Sequence, residues 1–244
     1  VKNSSKKIAL VTGANKGIGF EVARQLGKAG YTVVMGARNV KLGQEAVAKL
    51  RAEQLDVCEV ELDLGRPETI EAAAAMIGTE FQRLDVLVNN AGIADAADGL
   101  PSTAKIDAIE RVMRTNFIGA VAVTQAVLPL LRKSAGARIV NVSSGLGSLA
   151  LHSDPNWEYA PVKILGYCAS KAALNMFTVQ LAYELRDTTI KVNSADPGYT
   201  KTDLNGNQGH QTVEEGAAET VRLALLPEDG PTGGYFATAG PNPW

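Results

Sequence analysis

Cysteine and histidine are scarce: Cys58, Cys168, His152 and His210 are all that 244 residues contain, and no two are neighbours in sequence. That excludes the usual zinc-ligand spacings and a disulfide-built scaffold, and no metal is expected. Charge of one sign is also lacking. With 24 Lys+Arg against 26 Asp+Glu the formal net charge is −2, so the positive surplus that recognises nucleic acid or an anionic membrane is missing. No stretch reaches the roughly 18 uninterrupted apolar residues of a membrane span. The polar start from Val1 to Lys7 and the short apolar run after it, halted at Thr12-Gly13, do not make a signal-peptide core. The expectation is a soluble, cytoplasmic protein with neither nucleic-acid nor membrane partners.

What the chain has in quantity is apolar residues, 45% against 20% charged, enough for one large core. Its length suits a single α/β domain over residues 1–244. Short apolar runs alternate with helical patterns from end to end, the mark of βαβ units and a parallel sheet. Candidate strands are residues 8–12, 32–37, 57–63, 86–89, 138–143, 190–195 and 235–238. Several are apolar at consecutive positions, as strands buried on both faces are. Ile18, Val22 and Leu26 share a helix face ahead of a stop at Gly30, and Pro67 suits the first turn of a helix over 68–81. Thr212-Val-Glu-Glu215 reads as a capping box for a helix to Leu226, ended by Pro227. Segments 151–166 and 204–211 break the rhythm and read as long loops. The expected fold is a doubly wound parallel sheet of about seven strands with helices on both faces.

Thr12-Gly-Ala-Asn-Lys-Gly-Ile-Gly19 follows the first candidate strand and opens the first helix. Glycines there let the backbone approach a pyrophosphate, whose charge free N–H groups and the helix dipole favour. Arg38 follows the second strand, 25 positions beyond Gly13, in a run without carboxylates (Gly36-Ala-Arg-Asn39). A carboxylate there would suit the ribose hydroxyl of NAD; the cation suits the 2′-phosphate of NADP, with Lys16 as a second positive charge.

Tyr167-Cys-Ala-Ser-Lys171 opens a helical pattern, and Tyr and Lys at i and i+4 share one face. A free phenol titrates near ~10; a neighbouring ammonium favours the phenolate and makes a usable general acid/base. Alone the spacing also fits an ordinary exposed pair. Its weight comes from Ser144 at the end of a buried strand and from the glycine cradle.

In this combination the chain resembles the short-chain dehydrogenase/reductases over essentially its whole length. Thr12-Gly13 with Gly17 and Gly19 matches the family's TGxxxGxG loop, and Asn89-Asn-Ala-Gly92 its NNAG segment beside the cofactor. Asp63, at the end of the third candidate strand, matches an acidic residue directed at the adenine. Pro197-Gly198 with Thr202 matches the segment beside the nicotinamide. The resemblance implies a Rossmann fold and a catalytic set of Asn116, Ser144, Tyr167 and Lys171, with Ser144 a better match than the adjacent Ser143. Cofactor contacts are implied for Gly13, Asn15, Lys16, Gly17, Ile18, Gly19, Arg38, Asp63, Leu64, Asn90, Ala91, Gly92, Tyr167, Lys171, Pro197, Gly198, Thr200 and Thr202. Asn15-Lys16-Gly17, Ala37-Arg38 and Trp244 point toward the NADPH-preferring carbonyl reductases. The 23 positions between Ser144 and Tyr167 exceed the gap in many members, and in carbonyl-reductase relatives such an insertion accompanies a monomeric state. A monomer or small homo-oligomer is therefore expected.

The implied activity is hydride transfer from NADPH to the carbonyl carbon of an aldehyde or ketone. Tyr167 would donate the proton, Ser144 a hydrogen bond, and Lys171 would hold the phenol's pKa down and bind the ribose. Asn116 would position a water leading to Lys171. The alternatives are an NADP-dependent alcohol or sugar dehydrogenase working oxidatively, since the same residues serve both directions, and a dinucleotide-binding sensor without turnover. The insertion 151–166 and loop 204–211 are expected near the active site, with Trp157, Tyr159 and Tyr199 as candidate cleft walls. A hydrolase triad through His152 is disfavoured because Gly-x-Ser-x-Gly is absent. Cys168 is expected to pack on its helix and Cys58 in the core.

Overall fold

A computed structural model of the chain describes residues 6–244; residues 1–5, most of the polar N-terminal stretch, lie outside the described residues. The first strand, β1 (Ile8–Thr12), is buried along its entire length. It sits in the middle of the sheet, between β2 (Thr32–Ala37) and β4 (Val86–Asn89), and is parallel to both. Beyond β2 lies β3 (Val57–Glu61). Beyond β4 lie β5 (Arg138–Val142), β6 (Lys191–Asp196) and β7 (Tyr235–Ala237), giving the order β3-β2-β1-β4-β5-β6-β7-β8. All pairings are parallel except that of β8 (Gly240–Pro241), which turns back on β7. The eighth strand was not expected: two residues carry no periodic signal, and tertiary pairing creates the strand.

Alternation along β1 divides the core in two. Ala9 and Val11 face a cluster with Val22, Leu26, Val47, Leu50 and Leu223; Ile8 and Leu10 face Ile70, Ile77, Val127, Leu131 and Leu181. The first set lies on α1 (Gly17–Lys28), α2 (Val40–Ala52) and α8 (Val213–Ala224); the second lies on α3 (Pro67–Phe81), α5 (Gly119–Leu131) and α7 (Leu165–Glu184). Helices therefore cover both faces, as strands apolar on both sides require. Truncating a fully buried Leu10 or Leu87 to Ala would cost about 2–5 kcal/mol.

Local signals set several helix ends. Pro67 occupies the first turn of α3. Thr212 and Glu215 form the capping box of α8, with the Glu215 amide bonded to Oγ1 of Thr212 at 3.2 Å and the Thr212 amide to Oε2 of Glu215 at 2.8 Å. Asn39 caps α2 through the Leu42 amide. Among the described residues one helical run, Ile106–Leu131, is long and apolar enough to cross a bilayer. It joins α4 (Ile106–Met113), a π-helical turn (Arg114–Ile118) and α5, and Val123, Val127, Leu130 and Leu131 pack into the second core cluster.

Two loop expectations change. Segment 151–166 is not continuous loop: α6 (Leu149–Ser153), capped by Ser148, takes its start, and Leu165 and Gly166 are already in α7. Segment 204–211 shares a 3-10 turn (Asp203–Asn205), and Gln211 bridges to Thr200.

Candidate active site

Where chain order reverses, between β1 and β4, the carboxyl ends of the strands open a cleft of about 660 Å³, the place where such sheets bind ligands. The glycine loop forms one wall. Gly13 has φ +64°, and a Cβ on it would come within 2.9 Å of the Ala91 backbone; a Cβ on Gly19 would collide with the Asn90 amide and lie 2.6 Å from the Gly13 carbonyl. The loop is pressed on the segment after β4. Nδ2 of Asn90 donates to the carbonyls of Thr12 (2.9 Å) and Gly13 (3.2 Å), while the Asn90 and Ala91 amides donate to Oγ1 of Thr12. The preceding Asn89 has different work. Its Nδ2 donates to Thr124 and to Asn141, and Asn141 donates to Thr178, which meets Ser194, so a buried polar chain ties β4, β5 and β6 together.

Asn15, Lys16, Gly17, Ile18, Arg38, Asp63, Leu64, Gly92, Tyr167, Lys171, Pro197 and Thr202 also line this cleft. The α1 N-terminus meets it with no acidic residue in its first turn, leaving free amides to receive an anion. Arg38 is exposed at the cleft and has no carboxylate partner among the described residues. Lys16 also has a protein partner: its Nζ is 2.7 Å from Oδ2 of Asp203, so it bridges the glycine loop to the loop after β6. Asp63 lies two residues beyond β3 rather than ending it, with Oδ1 receiving the Gly65 amide. Thr200 does not face the cleft: it is buried, Oγ1 donates to the Pro197 carbonyl, and the side chain packs on Gly216. Gly198 turns toward Gln211 at φ +67°. An open cleft with a glycine floor, helix amides and a cation at its rim fits a phosphorylated dinucleotide.

Ser144, Tyr167 and Lys171 converge where β5 and α7 meet the cleft. Ser144 favours ionisation of the Tyr167 phenol, and its Oγ accepts the Leu146 amide at 3.2 Å. Ser143 lines the cleft, its Oγ reaching the Lys171 carbonyl at 3.5 Å. Nζ of Lys171 donates to the Val142 carbonyl at 2.8 Å and lies 5.6 Å from the centroid of the Tyr167 ring. Both side chains are buried, and this corrects an expectation. Burial pushes the phenol above its ordinary value, with Ser144 only partly opposing it. Burial also pulls the amine down to about 8, opposed by the charge of Asp196. Desolvation is the largest effect on both groups, and Lys171 is not among the groups that shift the phenol.

Asn116 sits in the π-helical turn, a geometry frequent at functional sites. Its Nδ2 donates to the Ile93 carbonyl and to Ser170, and its Oδ1 receives the Ile93 amide at 2.8 Å. Both polar atoms of the side chain are engaged by protein, and they anchor the turn. A Cβ on Gly92 would meet Oδ1 of Asn116 at 3.4 Å and Nζ of Lys171 at 3.6 Å.

Sequence reasoning missed Asp98. No side chain next to α7 caps its start; Asp98 does so from afar, through the Gly166 amide (2.9 Å) and the Tyr167 amide (2.8 Å). Nothing local signals a cap supplied from so distant a position. Trp157, Tyr159 and Tyr199 are brought together with His152 and His210 in a series of ring contacts, edge-to-face except for the tilted Tyr159–Tyr199 pair, centroids 5.3–5.9 Å apart. His152 is held between the Leu146 carbonyl at 3.1 Å and Nζ of Lys163 at 3.0 Å. Cys58 and Cys168 are both half-buried, and burial raises the Cys168 thiol's pKa, disfavouring a reactive thiolate.

Fold and cleft together define a dinucleotide-dependent oxidoreductase. The sequence profile of the short chain dehydrogenases matches residues 7–213. Carbonyl reductase [NADPH] 1 of Mus musculus is 34% identical, covering 99% of this chain and 100% of that one, and (+)-neomenthol dehydrogenase of Capsicum annuum is 32% identical, covering 96% of each. Among solved structures, NADPH-bound carbonyl reductase from chicken fatty liver superimposes with a TM-score of 0.86 at 31% identity, covering 98% of this chain and 99% of that one. The protein belongs to the short-chain dehydrogenase/reductase family.

Proposed function

We propose that the protein is an NADPH-dependent reductase of aldehydes or ketones. The observation that carries this reading is the pairing of Tyr167 with buried Lys171, whose Nζ lies 5.6 Å from the centroid of the phenol ring, at the cleft that the glycine loop lines. Similarity to carbonyl reductases along the whole chain supports it. The cofactor is NADP(H). The glycine loop, the α1 amides and Arg38 would hold its phosphates, and Asp63, Leu64, Asn90 to Gly92, Pro197 and Thr202 would flank it. When bound, NADPH supplies the hydride for the substrate carbonyl carbon.

The protein's own part is electrostatic and acid–base. As charge grows on the carbonyl oxygen, donors already in place lower the barrier. Ser144 offers one hydroxyl, and Tyr167 offers another together with the proton. A phenol pushed up by burial stays protonated at neutral pH, the form that reduction needs. An ammonium at Lys171, one helical turn on, then stabilises the phenolate that remains. Asn116 keeps the π-helical turn and Ser170 in register beneath the pair. The aromatic series from His152 to His210 would form the apolar side of the substrate cleft.

The test is NADPH oxidation against aldehydes, ketones and diketones, with wild type and Tyr167→Phe. Wild type is expected to turn over at least one class. The variant should lose about 100-fold or more of kcat, the scale of general acid catalysis, while binding NADPH as before. Wild-type rates in the variant would overturn the assignment of the proton donor.

A further inference from the structure

His152 lies on α6 and has no part in the acid–base chemistry above, yet its ring reaches back toward Ser144. Its Nε2 is 3.1 Å from the Leu146 carbonyl oxygen, and its Nδ1 is 3.0 Å from Nζ of Lys163. Leu146 belongs to the 3-10 turn Gly145–Gly147, and its amide donates to Oγ of Ser144 at 3.2 Å. Both backbone groups of Leu146 are thus engaged, the carbonyl by the imidazole and the amide by the serine. Trp157 completes the setting: its ring meets that of His152 edge-on at 5.3 Å, and a Cβ on Gly145 would come within 3.1 Å of it. From α7, Nδ2 of Asn175 donates to the Gly147 carbonyl at 3.3 Å, holding the end of the same turn.

The two partners of the ring fix which nitrogen carries the proton. A lysine ammonium only donates, and a carbonyl oxygen only accepts. Nδ1 is therefore bare and Nε2 carries the hydrogen, so the ring donates to Leu146. Burial, with the Lys163 charge adding to it, pulls His152 below its ordinary value and keeps the ring neutral. The consequence reaches the serine. A hydroxyl has one donor and two acceptor positions. With the Leu146 amide on one acceptor position, Ser144 keeps its hydrogen free to donate to a carbonyl oxygen.

We infer that His152 is a positioning residue for Ser144: kept as its Nε2–H tautomer by Lys163, it fixes Leu146 and, through that residue, the serine hydroxyl. This rests on the reductase reading, in which Ser144 donates to the substrate carbonyl. His152, Trp157 and Lys163 all belong to segment 151–166, so the insertion braces the serine turn as well as flanking the cleft.

His152→Leu removes the donor, and His152→Gln returns an Nε2–H group at similar reach. The wild-type ring is read by NMR of protein labelled with 15N-histidine, without dinucleotide, at about pH 8, above the titration of an ordinary imidazole, and assigned with His152→Gln. The Nε2–H tautomer is expected; an Nδ1–H ring overturns the inference. Hydrogen exchange at the Leu146 amide should quicken in His152→Leu and stay slow in His152→Gln. His152→Leu should lose about tenfold of kcat for carbonyl reduction, the order of one hydrogen bond, with Kd for NADPH unchanged, and His152→Gln should recover most of it. A residue that only supports the fold would lower stability and leave kcat of the folded enzyme intact. Equal kcat in all three proteins, or an equal loss in both variants, overturns the inference. If His152→Leu does not fold, Lys163→Met, at an exposed side chain, decides instead. It should bring up the Nδ1–H form and lower kcat, and an unchanged ring and rate overturn the inference. If the tautomer and the Leu146 exchange are as expected but wild type reduces no carbonyl, the brace stands and the reductase reading fails.

Discussion

Asp98 and Tyr167 are 69 positions apart, yet the carboxylate of one fixes the backbone of the other. Oδ2 of Asp98 takes the Tyr167 amide at 2.8 Å, and Oδ1 takes the amide of Gly166 at 2.9 Å. Free amides in the first turn of a helix need partners, and a carboxylate there also complements the dipole. The position of Tyr167 is thereby tied to the loop after β4, which also contributes to the cleft.

Asp98→Ala should therefore act on both stability and rate. Loss of the cap is expected to cost about 0.5–2 kcal/mol, read by denaturant unfolding. A shifted Tyr167 should lower kcat by more than the unfolded fraction explains, with KM for NADPH little changed. Equal kcat in the folded variant would separate the cap from the chemistry.

Lys171 gives a pH signature with two opposite parts. In the folded protein its pKa is lowered from 10.5 to about 8 by burial, so between those values the unfolded chain binds the extra proton. Stability contributed by this residue accordingly rises with pH from about 8 to about 10.5. The reductive rate should fall over the same rise, because the ammonium is lost. Thermal unfolding of wild type and Lys171→Met across this range should show the rise in wild type alone, and Lys171→Met should lose activity near neutral pH and bind NADPH more weakly.

Arg38 should decide between the two dinucleotides. It is exposed at the cleft without a carboxylate partner among the described residues, and a charge-assisted bond to phosphate is worth roughly 1.5–3 kcal/mol. Arg38→Asp should lower kcat/KM for NADPH by about tenfold or more and raise that for NADH, since one tenfold step is about 1.4 kcal/mol. Unchanged selectivity would place the 2′-phosphate elsewhere. Lys16, paired with Asp203, should matter less than Arg38 unless that bridge opens on binding.

Much of this was legible in local pattern. The strands 8–12, 32–37 and 86–89 fall where consecutive apolar residues mark them, because a strand buried on both faces has no polar alternation to blur it. Pro67 and the Thr212–Glu215 box mark their helix starts for reasons contained within one turn. The glycine loop, Tyr167 and Lys171 were found by spacing, since a tight turn and a helical face are both short-range geometries. The start of α6 carries no local signal, because a five-residue helix is shorter than the periodicity that marks one.

The sequence by itself determined which residues could do the chemistry and which runs could form a doubly wound sheet, because both depend on neighbours within a turn or a strand. Only the tertiary structure decided the state of those residues. Burial, which no spacing rule reports, raised the phenol of Tyr167 and lowered the amine of Lys171. The carboxylate that caps the start of the Tyr167 helix, Asp98, comes from a loop 69 positions back along the chain. Desolvation and the field of distant charges exist only once the chain has closed around them.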